Sequence, residues 1–157
     1  MRHDYAFVSR WHVAASPDRC WAVLEESLRS GVVPWWPAVR FEQVTADAGT
    51  ALTPGDPIRL VVQSPIGYRL RITLTLTEVI AGRALAATSA GDLAGRGRLD
   101  LASADSGSEL TWTWQVEVRK RWMRVVGPAV RPAFEAAHRA VMRRGERGLA
   151  AYVNDAA

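Results

Sequence analysis

Cysteine is almost missing from this chain. Cys20 stands alone among 157 residues, so no internal disulfide can staple the fold, and a reducing compartment suits the sequence. There is no run of about 18 uncharged apolar residues, the length a membrane-spanning helix requires. The first residues, MRHDYAFVSRW, lack the apolar core of a secretory signal. No Cys/His or paired-His spacing of a metal site occurs, so neither a metal nor another cofactor is expected. Lysine is scarce as well, since Lys120 is one of 20 basic residues and the other 19 are arginines. No linker and no repeat of roughly 20–50 residues divides the sequence. These absences exclude collagen-like, coiled-coil and low-complexity classes. They lead us to expect one cytoplasmic domain over residues 1–157.

What the chain does have is 48% apolar residues, enough to bury a core without staples, and a formal net charge of +4. The positive charge is spread among 16 acidic residues through most of the sequence. The exception is Arg119, Lys120, Arg121, Arg124 and Arg131, followed by Arg139, Arg143, Arg144 and Arg147. These could draw a basic strip along a terminal helix. A solvated helix face is the reading adopted for it, and no nucleic-acid partner is expected. Binding to a membrane or a nucleic acid through the strip would weaken steeply with salt. Cys20, beside Trp21 and Leu24, reads as a small buried hydrophobe.

Periodicity divides the chain into elements. Residues 5–14 alternate Tyr5, Phe7, Ser9, Trp11 and Val13 against polar or small neighbours, the pattern of a half-buried strand. Ser16 and Pro17 are an N-cap and first helical residue, and Cys20, Trp21, Leu24 and Leu28 follow at helical spacing to about Ser30, where Gly31 ends the helix. The segment GVVPWWPAV cannot form a long regular element because of its prolines. Strands are then expected at 39–46, 57–64, 67–79, 83–90, 93–102 and 109–119, separated by Gly-, Pro- and Asp-bearing turns. Residues 121–154 read as helix, with a first segment near Trp122–Val126 and a break or kink at Pro128 and Pro132. Phe134, Ala137, Val141, Gly148 and Tyr152 fall on its apolar face, with His138 and Gly145 at the margin.

One strand, one helix, six strands and one long helix make an α+β, helix-grip architecture: a seven-stranded curved antiparallel sheet around a C-terminal helix. Four stretches carry a family likeness: YAFVSRWHVAASPDRCWAVL, the PWWPAV segment, GRGRLDL with GSELTWTWQVEV, and the closing PAFEAAHRAVMRRGERGLAAYV. On these the chain resembles the START/Bet v 1-like (SRPBCC) superfamily, and within it the bacterial polyketide cyclase/dehydrase-like group. The resemblance implies a binding space between sheet and last helix. It also implies that Trp35 and Trp36 border the mouth of that space, where one indole could pack a flat ligand and offer its N–H and the other complete the core as a lid. No catalytic constellation of the group is matched residue by residue.

The remaining candidates follow from parity. Trp112 and Trp114 share the inward face of the last strand, and Tyr68 shares parity with Leu70 and Ile72. Phe134 and His138 belong to the inner side of the last helix, where a histidine could serve as general acid or base. The expected partner is a small hydrophobic, partly oxygenated molecule of polyketide, lipid or aromatic type. The alternative is an aromatase/cyclase-type enzyme catalysing aldol closure and dehydration by positioning plus one acid–base group. A homodimer is left open.

Overall fold

The computed structural model describes residues 4–44 and 52–155. The chain opens with β1 (Asp4–Val13), which turns Tyr5, Trp11 and Val13 into the core and leaves Arg10 and His12 outside. α1 (Pro17–Ser30) starts where the Ser16 hydroxyl accepts the Arg19 N–H at 3.2 Å. It ends at Gly31, whose φ of 74° a side chain would oppose and whose N–H is donated to the Ser27 carbonyl. Both ends are those expected from the sequence. The segment 31–38 then carries the chain to the far edge of the sheet.

There the meander begins with β2 (Val39–Val44) and β3 (Pro57–Gln63), and continues through β4 (Arg69–Ile80) and β5 (Ala84–Gly91). It closes with β6 (Leu93–Ala104) and β7 (Gly107–Val118). The seven strands lie in the order β1-β7-β6-β5-β4-β3-β2, every pair antiparallel. Consecutive β1 and β2 therefore occupy opposite edges. Register shifts between Phe41 and Gln43 and between Leu76 and Glu78 add twist, as bulges do. Inward residues such as Ile58, Leu60, Leu70, Ile72, Leu99, Leu110 and Val116 are buried. Three boundaries differ from expectation by two residues, and others by one: β7 starts at Gly107, β6 runs on to Ala104, and β4 starts at Arg69, with Tyr68 just ahead of it. The turn expected near Gly49, and residues 45–46 of the second strand, lie outside the described residues.

After β7, α2 (Arg121–Val125) is followed by α3 (Gly127–Asp155). The break falls at Val126, and α3 continues through Pro132. That proline lies in the second turn, where it removes one hydrogen bond near a terminus instead of severing a helix interior. A second correction concerns Tyr152, which is 40% exposed. The buried stripe of Phe134, Ala137, Val141 and Met142 rotates toward Leu149 and Val153 in the last turns. Tyr152 thus passes out of contact. α3 is also fastened to the edge strand: the His12 N–H donates to Glu146 Oε2 at 2.9 Å. The exposed margin of β1 is thereby partly covered.

Candidate functional site

Sheet, α1 and α3 enclose a cavity of about 220 Å3. All seven side chains singled out from the sequence stand in its wall: Trp35, Trp36, Tyr68, Trp112, Trp114, Phe134 and His138. Two aromatic groups bound it. Trp11, Trp35, Trp36 and Trp112 form the first, with neighbouring ring centroids 4.9–6.5 Å apart. Tyr5, Phe7, Tyr68, Phe134 and His138 form the second, with His138 stacked on Phe7 at 3.9 Å and 14°. Of the seven tryptophans, Trp35, Trp36, Trp112 and Trp114 stand in the wall and leave the space open.

Trp35 and Trp36 are buried, and their N–H groups are already engaged by α1 and α3. Trp35 Nε1 donates to Ser27 Oγ at 3.0 Å, and Trp36 Nε1 donates to the Val141 carbonyl at 3.0 Å. Their donors are thus spent within the fold, while both rings remain in the cavity wall. A buried N–H is satisfied wherever the fold allows, and here protein acceptors were in reach. Ser27, itself donating to the Val23 carbonyl at 2.8 Å, carries no signal in the sequence. Ser27→Ala should cost about 1–3 kcal/mol, because it strands the Trp35 donor. Urea melts of the two proteins measure it, and an unchanged midpoint would mean Trp35 finds another acceptor.

Trp112 and Trp114 do lie on the inward face of β7, as parity predicted. Trp114 lies over Gly97, its partner across the β6–β7 ladder. A Cβ at Gly97 would come within 2.8 Å of the Trp114 ring, so the glycine gives the indole its place. Trp112 Nε1, like Trp11 Nε1, is buried without an acceptor among the described residues, a standing cost to the fold.

Polar groups in the wall are few. Ser64 is buried, with its hydroxyl accepting the Ile66 N–H at 3.2 Å. Burial raises the Tyr68 phenol above its ordinary value, and a hydrogen bond with Ser64 pulls the other way. Tyr68 therefore stays a neutral donor. Burial lowers His138 from 6.5 to about 4, and no hydrogen bond reaches its ring among the described residues. At neutral pH the imidazole is uncharged, able to accept a proton or hydrogen bond but not to act as an acid. Arg98 is the charged residue of the wall, and its guanidinium is committed to Glu78 at 3.1 Å and Asp100 at 3.0 Å. Cys20 is buried, its thiol pushed up chiefly by burial, which suits a core residue. Among the described residues no group of His, Cys, Asp and Glu is arranged to hold a metal ion.

The geometry has counterparts among solved structures. The protein TTHA0849 from Thermus thermophilus superposes with a TM-score of 0.72 at 16% identity, covering 98% of this chain and 99% of that one. Ara h 8.0201 gives 0.65 at 12% identity, with 97% and 99% covered. The di-domain aromatase/cyclase StfQ from the steffimycin biosynthetic pathway gives 0.65 at 14% identity, covering 97% of this chain and 52% of StfQ. At such identities the likeness shows the fold. Among functionally curated proteins none is similar in sequence. The sequence does match the family of polyketide cyclase/dehydrase and lipid transport proteins over residues 6–154, from β1 through the meander and α3. With nearly every element inside that match, the chain belongs to the polyketide cyclase/dehydrase and lipid transport family, on the Bet v 1-like helix-grip fold.

Proposed function

We propose that the protein binds a small, uncharged, largely apolar molecule, one or two rings in size, between its sheet and α3. The carrying observation is a cavity of about 220 Å3 whose wall offers no uncommitted charge. An apolar cavity of about 150 Å3 accepts benzene, so this one has room for a bicyclic aromatic. The ligand's oxygens have few groups to meet. These are the Tyr68 hydroxyl and neutral His138, at one end of the cavity.

Charge decides selectivity. A carboxylate entering this wall gives up its hydration and finds no cation, at a cost of several kcal/mol. By calorimetry at pH 7, 2-acetonaphthone should bind at least about tenfold more tightly than 2-naphthoate, its anionic near-isostere. Tyr68→Phe should weaken the ketone roughly fivefold, the value of one hydrogen bond. Equal affinities, or no heat from either compound, would refute the reading.

The second reading, an aromatase/cyclase-type enzyme, draws on StfQ and on one feature of the wall. Tyr68 and Phe7 both contact Phe134, and His138 stacks on Phe7, which gathers a proton donor and a base at one end. Turnover of a poly-β-carbonyl substrate that fails in His138→Phe would favour it over simple binding.

A further inference from the structure

Four of the exposed large apolar side chains lie in two neighbouring segments. In α2, Met123 is buried, while Trp122 is 46% and Val125 81% exposed, and Val126 just after it is 40% exposed. Beside α2, in the β3–β4 turn, Ile66 is 61% exposed. Two contacts join these segments: Tyr68 meets Trp122 edge-on at 5.8 Å, and Lys120 Nζ donates to the Arg69 carbonyl at 2.7 Å. Val8, Val32, Ile80 and Tyr152 are exposed too, but singly elsewhere, which is ordinary for a protein surface. A contiguous apolar ridge is not.

The charge around the ridge is one-sided. From Arg119 to Arg131 the chain carries five basic residues and no acid. Three of them have partners elsewhere: Arg119 with Glu117, Lys120 with Asp92, and Arg131 with Glu135. Arg121 and Arg124 are exposed and form no ion pair with any described residue. They flank Trp122 and Val125 in sequence, so uncompensated cations and exposed hydrocarbon share one short helix.

We propose that α2 and the β3–β4 turn dock the protein on the surface of an anionic lipid membrane. Trp122, Val125, Val126 and Ile66 enter the boundary between headgroups and acyl chains, and Arg121 and Arg124 meet lipid phosphates. A polynucleotide would satisfy the arginines equally well but has nothing to receive two valines and an isoleucine. A bilayer surface receives both. The helix lies on the membrane without crossing it, since no described helix is long and apolar enough to span one. The ridge also touches Tyr68, a cavity-wall residue. Docking there sets the phenyl and imidazole end of the cavity beside the bilayer, a short dry route for an apolar guest. The docking itself is independent of what the cavity holds.

Flotation with vesicles of phosphatidylcholine, alone or mixed with phosphatidylglycerol, tests it without any cavity ligand. The protein should float with the mixed vesicles on the order of tenfold more than with the neutral ones, and less as salt is added. The pair R121E/R124E should lose on the order of tenfold in binding. Val125→Asp, at a position too exposed to affect the melting temperature, should lose binding as well and abolish any blue shift of Trp122 emission. Equal flotation with both vesicles, or with neither, overturns the proposal. So does binding that Val125→Asp leaves intact while duplex DNA is captured equally well, since that describes a polyanion site.

Discussion

Gly148→Ala is expected to destabilise the protein by on the order of 3 kcal/mol, although alanine is the better helix former by about 1 kcal/mol. A Cβ at this position of α3 would fall well inside van der Waals contact of the Trp35 carbonyl oxygen and within 2.9 Å of its carbon. The obstacle is backbone, so no side-chain rotation relieves it. Either α3 withdraws or the Trp35–Trp36 segment does. Withdrawal of the segment would also strain the Ser27–Trp35 and Trp36–Val141 hydrogen bonds. For a chain of 157 residues the melting temperature should fall by roughly 6–12 °C. Gly145→Ala acts on the same seam, its Cβ 2.6 Å from Trp36 Cε2 and 2.7 Å from Trp11 Cη2. There the obstacles are rings, which can tilt, so the loss should be smaller. The control is Ala151→Gly, which is exposed and should cost about 1 kcal/mol by propensity alone. A rise in melting temperature for Gly148→Ala would mean helix and segment are further apart than the geometry states.

That seam shows where the sequence stops being legible. Whatever depends on local periodicity could be read. Alternation put Trp112 and Trp114 on the inward side of β7, and the cap chemistry of Ser16, Pro17 and Gly31 fixed both ends of α1. The mutual exclusion of proline and helix interior foretold a break between α2 and α3, though not that Pro132 would be carried inside. Residues distant in sequence were a different matter. Gly145 and Gly148 look like weak points in a helix until Trp11, Trp35 and Trp36 are brought against them. The Trp36 donor finds its acceptor 105 residues away, and no pattern within either segment announces the pair. Tyr152 has the right helical phase for burial, but phase says nothing about where the opposing surface ends.

The same limit applies to the cavity. Parity assigned side chains to its wall without fixing what each donor would meet. Trp35 and Trp36 spend their donors on the fold, while Trp11 and Trp112 hold N–H groups with no acceptor among the described residues. The division is physical. Trp35 and Trp36 sit on an irregular segment that packs against α1 and α3, where a serine hydroxyl and the Val141 carbonyl lie within reach. Trp112 sits in a ladder whose backbone acceptors are spent on neighbouring strands.

Acid should expose the second large effect, through His138. Its folded value of about 4 lies below the ordinary 6.5 because the ring is buried against Phe7, with no acceptor to stabilise the cation. Between these values the unfolded chain takes up a proton that the folded protein refuses. Stability is therefore full above pH 6.5 and is lost progressively as pH falls toward 4. At 1.36 kcal/mol per pH unit the loss approaches on the order of 3 kcal/mol. Among the described residues no carboxylate contributes to the cavity wall, so none of them offsets the effect from inside it. His138→Phe keeps a flat ring on Phe7 and removes the titration. Urea melts between pH 7 and pH 4 should show the variant losing much less stability than the native protein over this interval. The carboxylates common to both proteins cancel in the difference. If the two curves run parallel, the imidazole is hydrated in the folded state, and the wall at this end of the cavity is wetter than its aromatic lining implies. A wet wall would also lower the barrier to an anionic guest, so this titration and the preference for the neutral ketone stand or fall on the same dryness.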